Sequence, residues 1–170
     1  MRILSFFLLL FSFSCSAVWQ DYKELNVDGL SSGAVWEICQ SALESTLGVP
    51  LDKAKTDRGM RQMETKWRTQ AQPFRKGERR RGKIVIEIDD PEKRTMTIQY
   101  AVELQYNKTI GSEFDPEESD WSDAGQDADL EQHLRYRLRL AIAQAKGERT
   151  PGPEGVDIQD PMKADRAKRR

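Results

Sequence analysis

The stretch from Lys83 to Tyr106 constrains this chain more than any other, because it alternates like the two arms of a hairpin. In the second arm, Met96, Ile98, Tyr100, Val102, Leu104 and Tyr106 share one face, while Thr97, Gln99, Ala101, Glu103 and Gln105 share the other. Successive strand side chains point to opposite faces, so this arm has a dry side and a wet side. Ile84, Ile86 and Ile88 give the first arm, Lys83 to Asp89, the same character. Between them Asp89-Asp90-Pro91-Glu92-Lys93-Arg94 reads as a polar turn whose proline cannot join a ladder. A sheet dry on one face needs a cover, and an amphipathic segment lies on each side of the hairpin.

The first of these follows Ser31 or Ser32, either of which can cap a helix. Val35, Trp36, Cys39, Ala42, Leu43, Thr46 and Leu47 recur at three- and four-residue steps as one apolar stripe. Gly48 suits a left-handed cap and Pro50 prevents continuation. The second helix is expected from Leu130 to about Ala145, with Leu130, Leu134, Leu138, Ala141, Ile142 and Ala145 inward, capped by Asp127 or Asp129. A weaker strand, Met60 to Trp67, has Met63, Thr65 and Trp67 on its expected inward face. The order is helix, strand, strand, strand, helix. This predicts an α+β fold, a three-stranded antiparallel meander with both helices on one face, in a helix-grip-like arrangement.

Ahead of this domain, 31–146, stand two segments of other character. Met1-Arg2 and the apolar run Ile3 to Phe13 read as a signal peptide, 1–14, since eleven residues are too short to cross a bilayer of about 30 Å. Ser12-Phe13-Ser14-Cys15 resembles the lipobox of bacterial lipoproteins, which makes Cys15 the candidate lipidation site. Cleavage after Ser14 or after Ala17 also satisfies the small-residue rule and leaves a soluble exported chain. Residues 15–30, with Trp19 and Tyr22, are expected as a tether. Cys15 and Cys39 are the two cysteines; lipidation excludes a bridge between them, and Cys39 on an apolar helix face reads as a core thiol. After Gly147, prolines, glycines and the basic end Lys163–Arg170 read as a disordered tail, 147–170.

Overall charge is balanced, 27 Lys and Arg against 28 Asp and Glu, so no global field points to nucleic acid. The charges are nevertheless sorted into blocks. Arg68 to Gly82 reads as a long basic loop, and Arg75, Lys76, Arg79, Arg80 and Arg81 are its candidate anion-binding residues. The competing reading pairs it with the acidic stretch Glu113 to Asp129. That stretch is a poor calcium loop: with Gly125 at the invariant glycine, Ala124 falls where an oxygen ligand is needed. The lone His133 cannot build a zinc site and has no evident nucleophile. No metal, cofactor or catalytic constellation emerges, and the expectation is a non-enzymatic protein.

Val35-Trp36-Glu37, Ala42-Leu43, Leu47-Gly48-Val49 and Asp57-Arg58-Gly59 resemble the opening of small bacterial envelope lipoproteins with a helix-grip-like module. Trp121, Gly125, Asp129, Leu130 and Glu131 resemble the entry to their last helix. The likeness is to uncharacterised planctomycete-type lipoproteins and, distantly, to lipoprotein C of the β-barrel assembly machinery. It implies a non-catalytic binding module in the cell envelope, facing the periplasm, with a membrane anchor and other envelope proteins as partners. A soluble periplasmic carrier, holding an apolar ligand between the sheet and the last helix, is the alternative.

Overall fold

The computed structural model of the chain describes residues 21–70, 77–108 and 120–148. The leader, Cys15, Trp19, Arg75, Lys76 and the tail beyond residue 148 lie outside the described residues. The fold is α+β. Six antiparallel strands, β1 (Lys23–Val27), β2 (Gln62–Glu64), β3 (Arg68–Gln70), β4 (Glu78–Asp90), β5 (Thr95–Asn107) and β6 (Trp121–Gln126), accompany two helices, α1 (Ser32–Leu47) and α2 (Ala128–Lys146).

The hairpin is the spine. β4 and β5 pair from Glu78 opposite Tyr106 to Asp90 opposite Thr95, much longer than the first arm alone suggested. Asp90 closes it: its Oδ1 accepts the N–H groups of Glu92 and Lys93 at 2.9 and 3.1 Å, an Asx turn that offsets the loss of ladder bonds around Pro91. β2 and β3 line the outer edge of β4, while β1 and β6 share the outer edge of β5.

Three expectations are corrected. The tether contains β1, which pairs Leu25 with Ile98 and Val27 with Met96, so the domain begins before residue 31. The basic stretch is strand, not loop, at Arg68–Gln70 and from Glu78 onwards. The acidic stretch ends in β6, against the C-terminal half of β5. The sheet therefore has six strands rather than three.

Both helices keep the caps written into the sequence. Ser31 Oγ accepts the Ala34 N–H, Asp127 Oδ1 accepts that of Leu130, and Gly48 and Gly147 adopt left-handed φ of 69° and 70°. Arg68 Nη1 donates to Leu47 O at 3.1 Å and so satisfies one carbonyl left open by the end of α1. The seven stripe residues of α1 are all buried. In α2 Leu134, Leu138 and Ile142 are buried as expected, with Ala143 rather than Ala145. Apart from Thr46 and Ala143, these side chains form one core with Met63, Ile84, Ile86, Met96, Ile98, Tyr100 and Val102. Gly82 lies under α1, where a Cβ would come within 2.5 Å of Leu43 Cδ1. Cys39 is a buried free thiol, and burial pushes its pKa up to about 12.

Candidate functional site

The concentration of charge and aromatic surface falls on the odd-numbered positions of β4 and β5, the side that alternation assigned to solvent. Register brings Arg79 opposite Gln105, Arg81 opposite Glu103 and Lys83 opposite Ala101. β2 adds Glu64 beside Lys83, because its ladder pairs those two residues.

Arg81 lies between two carboxylates. Its Nε and Nη2 donate to Glu103 Oε2 at 2.9 and 2.6 Å, and its Nη1 is 3.1 Å from Glu64 Oε2. That second approach misses hydrogen-bond geometry, so the buried Glu64 oxygen is held by charge without a directed bond. Lys83 Nζ completes the square, 2.6 Å from Glu103 Oε1 and 3.8 Å from Glu64 Oε1. All four side chains are at most 16 % exposed, and Ala101 in their midst is fully buried. Two cations and two anions alternate, which is how charges survive out of water. Tyr22 stands close by: burial first, and then the Glu103 and Glu64 charges, push its phenol above the ordinary value.

Beside this square the Arg79 guanidinium is sandwiched. Its carbon is 4.3 Å from the Trp67 ring centre and 4.6 Å from that of Trp121, and its Nε donates to Gln105 Oε1 at 2.8 Å. Trp67 also covers Arg81 at 4.4 Å. Trp67 was expected to point inward with Met63 and Thr65. The β2 ladder runs no further than the bridge at Thr65, so alternation no longer governs Trp67, and it turns to the charged face.

Arg80, on the other face, donates from Nε to Asp127 Oδ2 and from Nη2 to Glu78 Oε2, both at 2.6 Å. Of the five anion-binding candidates, Arg79, Arg80 and Arg81 are thus strand residues engaged inside the chain, and Arg75 and Lys76 lie outside the described residues. The reading that pairs basic with acidic sequence fits Arg80 and Asp127 directly. Sequence reasoning missed Glu64, Lys83, Glu103 and the two tryptophans. The available signal was charge complementarity between odd positions of the hairpin arms.

The remaining candidates carry less. His133 is exposed and accepts from Arg137 Nε at 3.1 Å. Among the described residues no group of three or more His, Cys, Asp or Glu is disposed to hold a metal ion, and no helix is long and apolar enough to cross a membrane. Compared with known proteins, the sequence matches no family model and no curated relative.

Proposed function

We propose that the chain is an exported cell-envelope protein, lipid-anchored through Cys15 and facing the periplasm, whose domain is a non-catalytic binding or scaffolding module for other envelope proteins. The observation that carries this reading is the leader, Ile3 to Phe13, ending in Ser14-Cys15 ahead of a folded domain that opens at β1. The charged face supports the non-catalytic half. A general acid or base needs a titrating group within reach of substrate, whereas the charges of Glu64, Arg81, Lys83 and Glu103 neutralise one another, with Trp67 over Arg81.

The finer architecture belongs to the same proposal: a helix-grip-like module in which α1 and α2 cover the dry face of the hairpin, as in the lipoproteins that the sequence resembles. Contacts of α1 with β4 and of α2 with β5 support it. Tyr100, Val102, Leu134 and Leu138 are all buried in the layer between β5 and α2, which favours a scaffold over a carrier of an apolar ligand.

Metabolic labelling with a fatty-acid analogue tests the anchor. Wild-type chain should take up label and the Cys15→Ser chain should not. An unlabelled wild type, or equal labelling of both, overturns the anchor. Pull-down of the tethered chain from envelope extract then identifies what the module holds.

A further inference from the structure

β1 ends the sheet. Among the described residues it pairs with β5 on one side and with no strand on the other. In such a strand the backbone N–H and C=O groups of alternate residues point away from the sheet, and proteins normally blunt or cover them. Lys23 and Glu24 charge the first part of β1, whereas Leu25, Asn26 and Val27 carry no charge. Beside this uncharged part lies a groove of about 240 Å³ between β1 and the last turns of α2. Leu25, Ile142 and Ala143 give it an apolar lining, and Arg139, Lys146 and Glu148 a polar one.

The chain itself leaves α2 at this groove. The Glu148 N–H donates to Ala143 O at 2.8 Å, folding the end of the helix back on itself, and Glu148 lines the groove. β1 and α2 run in the same direction: Gln126, just before α2, donates to Asp21 O before β1, and Lys146 at the end of α2 pairs with Asp28 after β1. A segment returning from Glu148 along β1 is therefore antiparallel to it. The sequence beyond contains one segment suited to that place. Pro151, Gly152, Pro153 and Gly155 precede it and Pro161 follows it, but Val156-Asp157-Ile158-Gln159-Asp160 holds neither residue type. It has five residues, as β1 has, and its β-branched Val156 and Ile158 fall on one face. The seven residues 149–155 reach at most about 25 Å, enough to reverse and come alongside a five-residue strand.

We propose that the open edge of β1 is a docking site for an extended strand and that residues 156–160 of the same chain fill it, antiparallel to β1, with Val156 and Ile158 set against the groove. Main-chain hydrogen bonds hold the added strand and the two apolar side chains fix its position. A strand from any other protein must displace this segment before it can pair there. The proposal does not depend on lipidation. Hydrogen exchange of the full-length chain, read by mass spectrometry in detergent that holds the leader in solution, tests it. Residues 156–160 should be protected, and β1 should be protected beyond the amides bonded to β5. Ile158→Pro removes a donor and cannot sit inside a ladder. It should speed exchange in both segments by about tenfold, the effect of one lost hydrogen bond, and leave α1 as in wild type. If the proline variant also loosens α1, Val156→Ser with Ile158→Ser keeps every backbone donor and should speed the same two segments. Fast exchange of 156–160 in the wild type overturns the proposal, as does β1 exchange that neither variant changes. Protection of β1 that rises with protein concentration also overturns it, since a second copy would then cover the edge.

Discussion

Glu131 Oε1 accepts the backbone N–H of Val102 at 3.1 Å, and the relationship repairs a gap in the sheet. β1 covers the outer edge of β5 from Met96 to Tyr100 and β6 covers it from Glu103 onwards, so on that edge no described strand lies beside Val102. Its two backbone groups still need partners because the site is buried. The start of α2 supplies both: Glu131 takes the N–H, and the Asp127 N–H donates to Val102 O at 2.9 Å.

A consequence follows for stability and pH. Glu131→Ala should cost about 1–3 kcal/mol, because a buried N–H loses its acceptor. Glu131→Gln keeps an acceptor and should cost much less. Burial raises the Glu131 pKa above its ordinary 4.5, despite the Val102 bond, which lowers it. The folded state therefore binds the proton more tightly than the unfolded one. The stability from this group is full below the unfolded pKa and is lost as pH rises through the folded pKa. Urea unfolding at acid and neutral pH should find wild type losing ground to Glu131→Gln as pH rises. A gap independent of pH would refute the account.

Gly82 sets how closely α1 approaches the sheet. A Cβ there would meet Leu43 Cδ1 at 2.5 Å and Leu47 Cδ2 at 3.2 Å, and both leucines are fully buried. Gly82→Ala should destabilise by about 1–3 kcal/mol through overpacking. Combining it with Leu43→Ala, which frees the space, should recover part of that loss in a double-mutant cycle. Strict additivity would mean the helix simply shifts.

The Arg79 sandwich ties Trp67, before β3, to Trp121 in β6 across the central hairpin. Arg79→Lys retains the charge but gives up the flat stack and the directed bond to Gln105. It should still cost about 2 kcal/mol, the size of a desolvated cation–π contact. Tryptophan emission should shift to the red as both indoles lose their cover. An unaltered spectrum together with unaltered stability would mean that the stack contributes nothing.

Much of this fold is readable in the sequence, and the unreadable parts share a cause. The α1 stripe and the dry face of β5 obey their own periods, so Val35 to Leu47 and Met96 to Val102 identify themselves. β1 has only five residues and β6 contains Asp123 and Gly125; neither is a strand on its own preference. Each exists because β5 offers an open edge, a fact held by another part of the chain. The charged face was hidden differently. Alternation separates two sides but does not say that the polar one is wet. Only the pairing of Arg81 with Glu103 and of Lys83 with Glu64 reveals a satisfied interior.

That interior makes its own prediction. Taking one charge from the square leaves its buried opposite uncompensated, whereas taking an adjacent pair leaves the remainder balanced. Glu103→Leu or Arg81→Met alone should therefore cost about 3–5 kcal/mol. The double variant Arg81→Met/Glu103→Leu leaves Lys83 with Glu64 and should be less destabilised than either single change. Because the four groups are largely shielded from solvent, added salt should change the coupling little, unlike that of an exposed pair such as Arg58 and Glu37. Unfolding of the four proteins at low and high salt decides it. Losses that simply add, or a coupling that salt dissolves, would mean four independent surface charges rather than one buried network.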